Sequence, residues 1–171
     1  SQGCPLSPFL FVIVMTVLIS DADARFKAEN GDVLSKNLPV HTLLYADDTL
    51  LIDISGHYLE KLMFIIADLG KEYGLELNWK KVEALPIRCE SHILDPDGNE
   101  LYTGDSIKYL GSMLSNSGKI NNELNRRLGI TASDFRTMKR IWNQTSISRW
   151  DKFHIYMACV VNKLLYGLHI V

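Results

Sequence analysis

The alternation of apolar and polar positions divides this chain into a helical start, a strand-rich middle and a helical end. Residues 7 to about 27 read as one long helix, apolar first and amphipathic later. Ser7 is placed to cap it, with Pro8 at its first position. The apolar run from Phe9 to Ile19 is about a dozen residues long and is interrupted by Thr16. A membrane-spanning helix needs about 20, so a helix buried on most sides is expected instead. Residues 29–39 read as a loop with Asn30-Gly31 as a turn. Two apolar runs within 40–53 read as the strands of a hairpin. A second helix should start at Ser55 or Gly56, bury Leu59, Leu62, Met63, Ile66, Leu69 and Tyr73, and stop at Gly74.

Short strands are expected near 76–77 and 82–85, and Asp95-Pro96-Asp97-Gly98-Asn99 should turn a hairpin from 87–94 to 100–103. Residues 107–114 read as one strand leading to a break at Ser115-Asn116-Ser117-Gly118. Beyond it, Ile120, Leu124, Leu128, Phe135, Met138 and Trp142 form an apolar helical stripe, with Arg126, Arg127, Arg136, Lys139 and Arg140 on the other face. Ser148 is placed to cap a last helix carrying Phe153, Tyr156, Met157, Val160, Val161 and Leu164. The fold class is α+β, with two domains expected over 1–116 and 117–171.

Composition sharpens this picture in three ways. Apolar residues make up 47% of the chain, enough for a core. The net charge of −2 hides a division. Residues 1–116 hold 9 Lys/Arg against 17 Asp/Glu, and residues 117–171 hold 9 against 3. A basic end following an acidic part suits phosphate contact in one and metal binding in the other, though such an asymmetry also occurs with no partner. The 3 cysteines, Cys4, Cys89 and Cys159, and the 5 histidines show no ligand spacing, so no zinc site is expected and a reducing compartment is. No targeting segment or membrane partner is read from the sequence.

The stretch Leu43-Leu44-Tyr45-Ala46-Asp47-Asp48-Thr49-Leu50-Leu51-Ile52 carries the most chemistry. Two adjacent carboxylates between apolar strands should form the turn and share its tip. They repel each other and are costly to bury without a cation. A hard divalent ion relieves both problems. Taken alone, the pair reads equally well as ordinary turn chemistry.

A second motif changes the balance. The chain opens Ser1-Gln2-Gly3-Cys4-Pro5-Leu6-Ser7-Pro8, and this segment followed by Tyr45-Ala46-Asp47-Asp48 resembles a reverse transcriptase of the non-LTR retrotransposon type. Gly74-Leu75-Glu76-Leu77-Asn78 followed by Lys81 resembles the family's next palm segment, with Val82 where a threonine is usual. Ile107-Lys108-Tyr109-Leu110-Gly111 resembles its primer grip, and residues 123–167, including Trp142 and Leu164-Leu165-Tyr166-Gly167, its thumb.

The resemblance implies a partial right-hand polymerase palm, an antiparallel sheet with packed helices, followed by a small helical thumb. It implies RNA-templated DNA synthesis by two-metal phosphoryl transfer with Mg²⁺, or Mn²⁺ in its place, and an RNA template, a DNA primer and deoxynucleoside triphosphates as partners. Asp47 and Asp48 would be the catalytic metal ligands. Gln2, Gly3, Tyr45 and Lys81 would line the nucleotide and primer end, with Lys81 reading equally well as a solvated lysine. Tyr109, Leu110 and Gly111 would hold the primer, and Arg126, Arg127, Arg136, Lys139 and Arg140 would follow the duplex backbone. The family's fingers and first palm strand, with a third metal-binding carboxylate, would lie upstream of Ser1. The chain is therefore expected to be a fragment with little activity alone, nuclear if its retroelement is active. A non-catalytic nucleic-acid-binding remnant is the alternative, and an α+β protein whose acids are only turn residues is the blandest reading.

Overall fold

The computed structural model describes residues 5–33 and 40–166. Its elements are a mixture of helices and small two-stranded sheets. Packing divides the chain into one unit over residues 1–103 and a second over 104–171. The hairpin of residues 106–115 packs with the helix that follows it, within the second unit. Among the described residues no helix is long and apolar enough to cross a membrane.

The first unit is built on α1 (Ser7–Asn30) and α2 (Gly56–Glu72). Leu6, not Ser7, sits at the cap of α1, and no side chain bonds there. Ser7 is already helical, with proline in the first turn, where its missing N–H costs nothing. Ala22, Phe26, Leu62 and Ile65 form the buried centre of one cluster, and Met63, Ile93 and Leu101 the centre of a second. The early turns of α1 differ from expectation. Phe9 is 68% exposed and Ile13 58%. The run is apolar on all sides, yet the buried positions of the helix are Leu18, Ile19, Ala22 and Phe26. Helix α2 buries Leu62 and Met63 as its pattern requires, together with Ile65, whereas Tyr73 is exposed; Gly74 follows it at φ 71° with Leu75 N–H donating to the Gly70 carbonyl at 2.8 Å.

β1 (Thr42–Tyr45) and β2 (Asp48–Leu51) form an antiparallel hairpin, with Tyr45 paired to Asp48. The turn is therefore Ala46–Asp47, and Asp48 is the first residue of a strand. Ala46 has φ 53° while Asp47 is not left-handed, as in a type II′ turn. A non-glycine residue there is strained by ~1–2 kcal/mol. The foot of the hairpin is held by Leu51, which touches both clusters, and by His41, which meets the Asp23 carboxylate at 3.3 Å.

Residues 76–77 are not a strand; a 3₁₀ turn, Trp79–Lys81, leads to β3 (Glu83–Ala84), which pairs in parallel with β4 (Tyr102–Thr103). The hairpin expected across 87–103 is reduced to a single bridge between Leu94 and Glu100, since a left-handed Arg88 at φ 55° interrupts its first strand. Its turn forms as read, with Asp95 Oδ1 accepting from the N–H groups of Asp97 and Asn99.

In the second unit, the strand expected over 107–114 folds back on itself. β5 (Ser106–Tyr109) and β6 (Ser112–Ser115) pair across Leu110–Gly111, at φ 46° and 81°, the two positive angles of a type I′ turn. α3 (Asn121–Thr137) ends at Met138, and α4 (Lys139–Asn143) follows. Their packing overturns the expected stripe. Leu124, Leu128 and Phe135 are exposed, whereas Glu123, Arg127 and Thr131 are buried. The reason is a charged cluster. Glu123 accepts from the guanidinium groups of Arg126 and Arg127 and from Met113 N–H on β6. Arg127 also donates to the carbonyls of Gly111 and Lys163.

Ser148 caps α5 (Arg149–Tyr156), accepting from Asp151 N–H at 3.1 Å. The helix continues through a π-helical turn, Met157–Val161, into α6 (Asn162–Leu165). That extra residue per turn breaks the series expected from 153 to 164. Val160 is buried, while Phe153, Tyr156 and Met157 are exposed.

Three stability effects follow and can be read by denaturant or thermal unfolding of the chain. Phe26→Ala removes a fully buried ring and should cost about 3–5 kcal/mol. Ala46→Gly should stabilise by about 0.5–1 kcal/mol, because glycine accepts the left-handed turn. The Arg126 guanidinium, then Arg127 and Met113 N–H, hold the Glu123 carboxyl down from 4.5 to about 2 against the opposing effect of burial. Its stabilising contribution is thus complete above pH 4.5 and is lost as pH falls toward 2. Glu123→Gln should destabilise at neutral pH and flatten this part of the acid limb.

Candidate active site and nucleic-acid face

The tip of the β1–β2 hairpin presents two neighbouring acids. A turn of only two residues forces the chain to reverse within them. Asp47 lies in the turn and Asp48 opens the returning strand, so the carboxylates leave the backbone from adjacent but different positions. Both are exposed, and Tyr45, cross-strand partner of Asp48, is 64% exposed. Cross-strand partners share a face, so Tyr45 and Asp48 stand side by side. The hairpin is anchored at its foot and exposed at its tip.

Carboxylate oxygen is the ligand that Mg²⁺ and Mn²⁺ take. The donor chemistry of Asp47 and Asp48 therefore fits such an ion. The number of donors is small. Among the described residues no group of three or more His, Cys, Asp or Glu side chains lies close enough to hold a metal. Two carboxylates on one turn supply part of an octahedral shell and not the whole of a two-ion site.

The other expected residues fall in several places. Gln2 and Gly3 lie outside the described residues. Lys81 is exposed at the end of the 3₁₀ turn, its N–H donating to the Asn78 carbonyl at 2.9 Å. Tyr109, Leu110 and Gly111 come together at the tip of the β5–β6 hairpin, Tyr109 and Leu110 half-buried and Gly111 exposed. Of the five basic residues, Arg136, Lys139 and Arg140 are exposed along the end of α3 and the start of α4, with no ion-pair partner among the described residues. Arg127 departs from the expected outer face. Its side chain is 6% exposed and fully engaged, with Tyr166 beneath the guanidinium at 5.1 Å. Arg126 is intermediate, paired to Glu123 and donating to the Gly111 carbonyl at 2.9 Å. Charge alone marked both as solvent-facing; only the neighbouring Glu123, three and four residues before them, hinted at pairing within the helix.

Trp142 and Tyr156 both pack against Phe135, and Trp142 donates its indole N–H to the Phe135 carbonyl at 2.7 Å. Their rings serve contacts within the unit. Sequence reasoning missed Glu123 and Tyr166 as the partners that fix the β5–β6 turn.

Comparison with known proteins adds the family. The model of reverse transcriptase (RNA-dependent DNA polymerase) matches residues 1–114. The Retrovirus-related Pol polyprotein from type-1 retrotransposable element R2 of Popillia japonica is 25% identical over 178 residues, 98% of this chain and 24% of that protein. The polyprotein of the same name from Nasonia vitripennis is 31% identical over 137 residues, 72% of this chain and 13% of that protein. The chain thus spans a quarter or less of the length of these relatives. No solved structure matches it. The family match spans both strands of the acidic hairpin, and the chain belongs to the reverse transcriptase (RNA-dependent DNA polymerase) family, of the non-LTR retrotransposon type.

Proposed function

We propose that this chain supplies the later palm and the thumb of an RNA-templated DNA polymerase, over 1–116 and 117–171. The observation that carries the reading is the Tyr45-Ala46-Asp47-Asp48 tip, an acid pair held on a strained, foot-anchored hairpin within a reverse transcriptase sequence. Strain of this kind is kept where the surrounding structure fixes it, often beside functional groups.

In this reading Asp47 and Asp48 hold a divalent ion, with Mg²⁺ the hard-cation choice. When bound, such ions activate the primer hydroxyl and stabilise the leaving pyrophosphate. The chain's own residues orient the reactants. Tyr45 serves the primer end, Gln2 and Gly3 the incoming base pair, and Lys81 the triphosphate. Tyr109, Leu110 and Gly111 hold the primer strand. Arg136, Lys139 and Arg140 contact phosphates and carry no base preference.

A second reading, a nucleic-acid-binding remnant without chemistry, is favoured by the short donor set. With two carboxylates gathered among the described residues, little synthesis is expected from this polypeptide alone.

Binding to an RNA–DNA duplex, followed by anisotropy across a salt series, tests the interface. Affinity should fall steeply with salt, and replacing Arg136, Lys139 and Arg140 by alanine should reduce the log–log slope by about 2–3. Unchanged slope would remove these residues from the interface. Mn²⁺ binding followed by proton relaxation tests the tip. Asp47→Ala should abolish it, and binding indifferent to Asp47 would leave only the remnant reading. Primer extension on an RNA template separates the two further. Synthesis abolished by Asp47→Ala would show that the polypeptide alone completes the site.

A further inference from the structure

The turn at the tip of the β5–β6 hairpin is unusual in what holds it. Leu110, a γ-branched residue, occupies the left-handed region at φ 46°, where an L side chain is strained. Asparagine or glycine is the usual occupant of that place in a type I′ turn. Nothing in the local sequence offsets the strain. Helices far along the chain do so instead.

Both carbonyls of the turn are captured by side chains. The Tyr166 hydroxyl donates to the Leu110 carbonyl at 3.0 Å. Arg126 and Arg127 both donate to the Gly111 carbonyl, at 2.9 and 3.2 Å. Arg127 reaches on to the Ser112 hydroxyl at 3.2 Å. Glu123 accepts from Met113 N–H at 3.1 Å while bonding both arginines. The guanidinium of Arg127 lies over the Tyr166 ring, and that ring would meet a β-carbon at Gly111 at 3.6 Å. Arg127 also donates to the Lys163 carbonyl at 3.1 Å, at the C-terminal end of α6, where a helix carbonyl lacks an intrahelical donor. One connected set of groups therefore ties α3, the end of α6 and the hairpin tip together.

We infer that Glu123, Arg126, Arg127 and Tyr166 are positioning residues that fix the Leu110–Gly111 turn in the one conformation in which it receives a primer terminus. The inference rests on the primer-strand role proposed above for Tyr109, Leu110 and Gly111. It reassigns Arg126 and Arg127 from the phosphate backbone to the turn.

The test uses the whole chain and two mild variants. Tyr166→Phe removes one hydroxyl and keeps the ring under Arg127. Arg126→Lys keeps the charge and loses the fork that reaches Glu123 and Gly111 together. Two RNA–DNA duplexes of equal length serve as probes, one with a recessed DNA 3′ end and one blunt. Hydrogen exchange over residues 106–115 reports the turn, and thermal unfolding reports the unit.

Each variant should speed exchange over the turn about fivefold, as expected for one lost hydrogen bond. The preference for the recessed end should fall by a similar factor, with blunt-duplex affinity unchanged for Tyr166→Phe and Tm lowered only by the few degrees that one hydrogen bond costs. A merely structural role would weaken both duplexes alike; that pattern overturns the inference. Faster exchange with an intact preference overturns it too. A wild-type chain that does not distinguish the two duplexes would defeat the primer-strand reading itself, and the inference with it. A wild-type preference untouched by either variant would defeat the inference alone.

Discussion

A buried carboxylate governs the second unit. Glu123 lies inside, with 7% of its side chain exposed; burial pushes its carboxyl up, and its two arginines and the β6 amide more than offset that. An ion pair of this kind adds little net stability over a well-packed apolar core. What it adds is direction. Each hydrogen bond has one geometry, so α3 can meet the hairpin in one way, whereas an apolar stripe tolerates sliding. Removing either partner leaves an uncompensated buried charge, which makes the arrangement hard to change piecemeal.

Two hairpins in this chain share a design. Each turns on two residues, and each places a non-glycine side chain in left-handed backbone at the first of them, Ala46 in one and Leu110 in the other. They are held differently. The first is secured at its foot, by Leu51 packing and the His41–Asp23 contact, and its acidic tip is free. The second is secured at the tip itself, by donors brought from α3 and Tyr166. An exposed tip suits groups that must meet a solvated ligand. A pinned tip suits a surface whose shape matters more than its charge.

The sequence carried the parts whose signals are local. Helix α2 shows a clean apolar face, Gly74 ends it, the Asp95–Asn99 turn forms, and Ser148 caps its helix. The reverse transcriptase motifs are linear, so the family and the Asp47–Asp48 hairpin were legible too. The failures came where tertiary contacts decide. A periodic stripe gives spacing but not which side faces inward, and in α3 the charged side does. Leu110–Gly111 sits inside an apolar run, so its turn depends on distant donors that no short window contains. Arginine is read as exposed by default, and Arg127 is buried because Glu123 lies one turn before it.

The π-helical turn Met157–Val161 separates the two ends of the last helix. A π turn accommodates an extra residue, so side chains beyond it emerge at a different angle from those before it. The stretch up to Tyr156 meets Phe135, while the stretch after it delivers the Lys163 carbonyl to Arg127. One continuous rod thus serves two docking surfaces whose angular offset is fixed by register. Insertion or loss of a single residue in that loop of backbone would re-aim everything beyond it, much as a changed tooth count re-phases a gear.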